Sequence, residues 1–271
     1  MNDQDFLSLR DFAKLTGIEQ SKLRYYDEVG LFKPIKRGAN NYRYYSAPQA
    51  VAVNYINAMR SLNFPIKKIK EMKKKRDPKL VSELLQKYEL ELNQELFRLQ
   101  QTYAIIHIYS RLIQEGLLAD EQIISNRWMD VLPIQLGEVN DFSSGYIYDS
   151  FFSFIRQMAD HKISPAYPAG GFYDDMDTFI NVPGQPPRFF SCAPAGQHTK
   201  EAGEYVVGYT RGYYGNLGDL PQRMQAYAKE HGFTFTGPVY EIYLHDEIAI
   251  EDPDQYLIQV SVPVKMNKRK T

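Results

Sequence analysis

After Pro78 the chain meets no glycine or proline until Gly116, and within that span Leu85, Leu92, Leu99, Ile106 and Ile113 recur every seven residues. Leu96 and Tyr103 fill part of a second seam. Successive heptads of this kind specify a coiled-coil helix. At 1.5 Å per residue, about 40 residues would span roughly 60 Å. Such a helix cannot bury its stripe alone. Its partner is either the same helix of a second copy or the chain's own C-terminal domain. The helix at 77–118 thus separates a head, residues 1–76, from a body.

Charge divides along the same line. Residues 1–76 carry 16 Lys+Arg against 7 Asp+Glu, whereas residues 77–271 carry 16 against 26. A basic first quarter joined to an acidic remainder points to a head that binds a polyanion, the rival being a merely solvated basic face. No apolar run approaches the roughly 18–20 residues of a membrane span. The first residues lack the apolar segment of a signal peptide. Cys192 is the one cysteine, so no internal disulfide can form. A cytoplasmic location without a membrane partner is expected. Cys192 lies in the apolar run RFFSCA, which makes it a packed small hydrophobe.

In the head, Ser8 is placed to cap a helix over about Leu9–Thr16, with Leu9, Phe12, Ala13 and Leu15 on one face. Gly17 ends it. A second helix, about Glu19–Val29, stops at Gly30, giving a helix-turn-helix. Its Lys22, Arg24 and Tyr25 are candidate DNA contacts, since cations neutralise phosphates and phenols reach phosphate oxygens or base edges. Tyr25 and Tyr26 are adjacent and cannot face the same way, so one of them packs. Leu23, Leu31 and Phe32 are core candidates. Residues 36–46, KRGANNYRYYS, form a two-stranded wing turning at Gly38, Asn40 and Asn41. Lys36 and Arg37 sit at its tip, and Tyr42 and Arg43 on the returning strand. Ser46 is placed to cap a third helix, about Ala47–Leu62, and Pro65 opens a basic fourth, about 65–75.

The runs SKLRYYDEVGLFKP and NYRYYS, followed by a capped helix, resemble the winged helix-turn-helix head of MerR-family regulators over residues 7–75. Glu19 departs from the Ser or Thr that this family often has there, and would repel a nearby phosphate. The resemblance implies double-stranded promoter DNA and RNA polymerase as partners. It also implies that the long helix pairs antiparallel with its copy in a homodimer. Metal-sensing relatives place cysteines around this helix. Here KRDPKLV and EGLLADEQIIS contain none, and His107, His161, His198, His231 and His245 show no ligand spacing. No metal and no cofactor are expected.

Residues 119–131 read as a linker, and residues 132–271 as an α+β domain built from two βαββ halves in a mixed sheet. The first half is a strand at 133–138, a helix at about 145–161 and strands at 166–174 and 188–193. The second is a strand at 204–211, a helix at 220–230 and strands at 240–245 and 256–264. Tyr148 to Ile155, AYPAGGFY, PVYEIYL and DPDQYLIQVSVPV resemble the GyrI-like effector-binding domain, and the two-domain order resembles the BmrR-like multidrug-responsive type. By that resemblance Glu241 answers the charge of a lipophilic cation, with Tyr148, Tyr167, Tyr243 and Tyr256 in the pocket wall. The chemistry is consistent: a buried carboxylate needs a partner, and aromatic faces attract cations. The rival is a Glu241 that faces solvent or pairs with an internal arginine.

The expected protein is therefore a ligand-responsive DNA-binding activator, not an enzyme, that distorts its promoter when a lipophilic cation binds. Two alternatives stand beside it. One is a GyrI-like hydrolase, and the other a DNA-binding repressor that ignores ligands.

Overall fold

The computed structural model describes residues 6–39, 41–75, 77–140 and 147–267. It divides into two compact units, Met1–Glu95 and Leu96–Thr271. The long helix is divided between these units.

In the first unit, Ser8 accepts a bond from the Asp11 amide (3.2 Å) and caps α1, Leu9–Thr16. Gly17 closes that helix at φ 69°. Helix α2 spans Gln20–Glu28, α3 Gln49–Ser61 and α4 Ile66–Lys75. Phe12, Phe32 and Tyr45 stack at the centre, with Phe12 and Tyr45 ring centroids 4.5 Å apart. Leu23, Leu31 and Phe32 are buried as expected. Leu15 is not in the core: it is exposed on the far side of α1.

Two further expectations for the head are corrected. The wing strands, β2 (Lys36–Arg37) and β3 (Arg43–Ser46), belong to a three-stranded sheet ordered β1-β3-β2, with β1 at Phe6–Ser8. Three residues are too few for an alternation to be read. Ser46 does not cap α3. It is the last, buried residue of β3, and its amide donates to Gln49 Oε1 (3.0 Å), leaving Pro48 at the N-cap. Of the expected wing-turn residues, Asn40 lies outside the described residues.

Helix α5 runs from Pro78 to Leu118. The body sheet has nine strands: β4 (Ser125–Met129), β5 (Leu132–Leu136), β6 (Ala169–Tyr173), β7 (Arg188–Ser191), β8 (His198–Lys200), β9 (Gly203–Arg211), β10 (Phe233–Phe235), β11 (Val239–His245) and β12 (Leu257–Met266). They lie in the order β4-β9-β12-β11-β6-β7-β5-β8, with β10 beside β12. Helices α6 (Ile147–Asp160), α7 (Met176–Asn181) and α8 (Leu220–His231) complete the unit. The expected start of α6 at 145 lies outside the described residues.

The two halves are visible in the strand order. In each, the third strand lies between the first two, giving β5-β7-β6 and β9-β12-β11. Strands joined through α6 or α8 are therefore not neighbours, and β6 and β7, joined through α7, pair antiparallel. The sheet is accordingly antiparallel at every pairing among the described residues, not mixed. The halves meet where β6 pairs with β11. The segment expected to be a linker, 119–131, holds β4, which covers the β9 edge from Ser125–Val207 to Met129–Gly203. An exposed edge is a pairing hazard, and β4 leaves only a five-residue strand at this edge of the sheet.

One sheet face packs Val206, Val260 and Val262 against Leu220 and Met224 of α8. The other packs Tyr240, Ile242 and Leu244 against Ile108 and Leu112 of α5. Cys192 is buried in that second cluster, and burial pushes its thiol up to about 12.

The β6–β11 junction depends on Gly170. A Cβ there would lie 2.0 Å from the Glu241 carbonyl oxygen and 2.9 Å from the Phe190 ring. Gly170→Ala is expected to lower the unfolding free energy by about 2 kcal/mol or more. Urea unfolding followed by circular dichroism checks this, and an unchanged midpoint would count against the junction as a tight seam.

Candidate DNA-binding face and ligand cavity

On α2, Lys22, Arg24 and Tyr25 are exposed, whereas Tyr26 is buried. The pair thus divides as adjacency on a helix requires. Glu19 carries no helix cap; its carboxylate accepts from the Ser21 hydroxyl (3.1 Å).

The wing is fixed by a group that the charge pattern did not single out. Asp27 is buried at the end of α2, and its Oδ2 accepts from Arg37 Nη2 (2.5 Å) and Arg43 Nε (2.6 Å). Arg37 also donates to Asn41 Oδ1 (2.7 Å). Charge-assisted bonds of this length are the strong kind. Arg43 therefore does not project freely from its strand: its side chain is only 20% exposed, against 42% for Arg37. Tyr42 is exposed on the wing, and Lys36 Nζ lies over the Phe6 ring at 5.3 Å. Lys22, Arg24, Tyr25, Lys36, Arg37 and Tyr42 thus have exposure suited to DNA contact, with Arg43 partly spent on the brace.

The second unit contains a cavity of about 530 Å³. Its wall includes Tyr148, Phe151 and Phe152 from α6, Tyr167 and Phe189 beside β6 and β7, Tyr214, and Glu241 with Tyr243 from β11. Strand alternation explains the last two. Tyr240 and Ile242 point to the α5 face, so Glu241 and Tyr243 point away from it. Across the junction Glu241 pairs with Gly171, whose missing side chain leaves room: a Cβ there would come within 3.2 Å of Glu241 Oε2.

Glu241 is 4% exposed. Its Oε2 accepts from Tyr173 Oη (3.1 Å) and its Oε1 from Tyr243 Oη (3.2 Å). Those phenols accept in turn from the amides of Gly184 (3.0 Å) and Gly215 (3.3 Å). Burial pushes the Glu241 carboxyl up to about 7, although the two phenolic bonds pull it down. No Lys, Arg or His is found among the described residues lining the cavity, while Asp246 and Glu247 join Glu241 there. The alternative of a Glu241 in solvent or paired with an internal arginine does not hold.

Of the expected pocket residues, Tyr148, Tyr167 and Tyr243 line the cavity with Glu241. Tyr256 does not. It is buried, with its ring edge-to-face to Tyr214 at a centroid distance of 5.7 Å, and Tyr214 is the one that lines the space. Tyr148 Oη shares a 2.6 Å hydrogen bond with Tyr213 Oη. Tyr109, Tyr173, Tyr214, Asp246 and Glu247 were not anticipated. Tyr173 had a signal, because it lies two residues after Gly171 on the same strand face. Tyr109 sits on α5, whose heptads drew attention to the other seam. Tyr214 lies in a loop that no regular pattern describes.

A brace-ordered basic head and a separate unit with an acidic aromatic cavity are the features that a comparison with known proteins must account for. Residues 7–75 match the MerR HTH family regulatory protein family, which makes them a MerR-type DNA-binding head of a transcriptional regulator. It is 24% identical to the multidrug-efflux transporter 2 regulator of Bacillus subtilis (strain 168) over 273 residues, spanning 96% of this chain and 97% of that protein. It is 32% identical over 75 residues to the multidrug-efflux transporter 1 regulator of the same organism, covering 27% of this chain and 26% of that one. Among solved structures, EcmrR in the EcmrR-DNA complex of EcmrR-RPo aligns over 96% of this chain and 100% of its own, with TM-score 0.39 and 17% identity.

The raised Glu241 carboxyl has a measurable consequence for stability. Its folded value lies above the ordinary 4.5, so the native state holds this proton more tightly than the unfolded chain. Stability from this group is present at low pH and is lost as pH rises from about 4.5 to about 7. Glu241→Gln removes that loss. The variant should gain about 3 kcal/mol at pH 8 and nothing at pH 4. Urea unfolding monitored by Trp128, which lies in β4 of the same unit, measures both. Equal gains at the two pH values would show that ionisation is not the cause.

Proposed function

We propose that this regulator activates its promoter when a lipophilic cation enters the cavity of the second unit. The observation that carries the proposal is Glu241: a buried carboxylate in an aromatic wall, with no cationic side chain among the described residues of that wall. A buried ion without a counterion is costly. An organic cation with broad apolar surface supplies both the missing charge and area to bury. Tyr148, Tyr167, Tyr243 and Tyr214 offer faces and edges for the rest of it. The volume suits a drug-sized molecule. The full-length likeness to a multidrug-efflux transporter regulator supports the same ligand class.

The partners follow from the two ends of the molecule. Lys22, Arg24, Tyr25, Lys36, Arg37 and Tyr42 contact promoter DNA, and Arg43 sets the wing. Leu92, Leu96, Leu99, Tyr103 and Ile106 are each at least half exposed along α5. Pairing with the same helix of a second copy, antiparallel, buries that stripe in a homodimer. The ligand works by binding one state of the dimer better than the other. The bound state bends and untwists the DNA so that RNA polymerase reads a misaligned promoter.

Titration with tetraphenylphosphonium tests the ligand half of the proposal. Wild type should bind with micromolar affinity and Glu241→Gln more than tenfold more weakly, about 1.4 kcal/mol. A bound cation favours the carboxylate, so affinity should climb with pH below about 7 and level off above it. Binding unaffected by both pH and the substitution would remove Glu241 from the site.

The DNA half has its own measurement. Lys22→Ala and Arg24→Ala should each make the plot of log affinity against log salt shallower by about 1. An unchanged slope would take that residue off the phosphate backbone.

A further inference from the structure

The β11 end of the cavity carries a feature that the cation reading does not use. Along β11, Tyr243 pairs with Ile258 but His245 pairs with Leu257, so two steps on one strand match one on the other. This β-bulge breaks the in-out alternation. Bulges of this kind re-aim side chains beside functional sites. Leu244 joins the cluster against α5, and His245, which would otherwise follow Tyr243 toward the cavity side, reaches α5 as well. His245 Nε2 donates to the Ile113 carbonyl (3.0 Å). Its ring also fills the space above Gly116, where a Cβ would lie 2.5 Å from Nε2. The next two residues, Asp246 and Glu247, line the cavity, and the Glu247 carboxylate accepts from Tyr214 Oη (2.5 Å). From α5 itself, Tyr109 lines the same cavity, one turn before Ile113.

Resting on the cation reading, we propose that His245 is the residue that couples cavity occupancy to helix α5. Three consecutive residues face two ways: His245 grips the helix, and Asp246 and Glu247 meet the ligand. A cation drawn toward those carboxylates, or an apolar group pressed on Tyr109, displaces the segment that holds Ile113 and Gly116. Ile113 and Gly116 lie on α5, Pro78–Leu118, the helix that follows the DNA-binding head in sequence, so a change in grip there acts on that helix. His245 is a positioning residue here: it is not among the described cavity-lining residues and acts through α5.

Hydrogen exchange on the full chain, with and without tetraphenylphosphonium, tests this alongside direct binding. In wild type the probe should change the exchange of α5 amides over residues 109–118 by about fivefold or more. His245→Phe keeps the ring volume and loses the donor. It should bind the probe within about threefold of wild type yet abolish the α5 response. His245→Gln retains a donor and should restore part of the response. An α5 response undiminished in His245→Phe overturns the proposal. So does a loss of response that merely tracks a loss of affinity. Should His245→Phe fail to fold, wild type decides alone: a probe that binds and alters only α6 amides, residues 147–160, also overturns it. A wild type that binds no cation fails at the earlier step, sinking the cation reading and this coupling together.

Discussion

A carboxylate taken out of water must be neutralised, bonded or matched by another charge, and the second unit is arranged around one that is only bonded. Glu241 has two phenolic donors and no cation among the described cavity residues. Each phenol is held in turn by a glycine amide, Gly184 for Tyr173 and Gly215 for Tyr243. Those two glycines touch: a Cβ on Gly184 would lie 2.4 Å from the Gly215 Cα, and both have positive φ. The closeness of two loops thus sets the position of two hydroxyls, which set the carboxylate. The room left by Gly171 completes the arrangement. Two neutral donors offset part of the desolvation of an anion but not all of it, which is why the carboxyl stays near 7 instead of returning to the ordinary range. That residual cost is the driving force available to a ligand carrying positive charge.

Helix α5 answers a different constraint. An apolar stripe needs cover, and this helix carries two. Ala104, Ile105, Ile108 and Leu112 pack into the second unit's own core, whereas Leu92, Leu96, Leu99, Tyr103 and Ile106 stay exposed. The chain's own domain therefore covers one face and leaves the other for the proposed second copy. Where the faces overlap in sequence, between Tyr103 and Leu112, neighbouring residues alternate between the exposed seam and the buried one.

Regular elements were legible because their signals are local and repeated. The bounds of α5 follow from a long span without breakers, and α1 from Ser8 at one end and Gly17 at the other. The repeated βαββ plan emerged because each half contains one amphipathic helix and several strands long enough to alternate. Elements of three to six residues, β1, β8, β10 and α7, left too short a pattern. The site divides in the same way. Glu241, Tyr243, Tyr148 and Tyr167 could be named because local motifs resemble a known domain, and strand alternation then accounts for Glu241 and Tyr243 facing one way. Tyr256 belongs to such a motif too yet is not among the cavity-lining residues, because a motif match does not fix which rings reach the space. Tyr214 reaches the wall from a loop, where side-chain direction is set by contacts distant in sequence. The bulge at His245 was unreadable for a related reason: an extra residue in a ladder is defined by the partner strand, not by its own.

The two buried carboxylates among the described residues, Asp27 and Glu241, show opposite solutions to one electrostatic problem. Asp27 receives two guanidiniums from the wing, so its charge is matched within the chain and the head's recognition surface is set before DNA arrives. Binding then spends little on ordering the wing. Its cost is that Arg43, turned inward, has less to offer a phosphate. Glu241 is left without such a partner, so the charge that would complete it must come from outside. An arginine opposite Glu241 would supply from within the chain the charge that the proposed ligand brings. Removing the arginines opposite Asp27 would expose nothing useful and loosen the wing. A regulator needs a surface that is already formed for the partner it always meets, and an unmet charge for the partner whose arrival it reports.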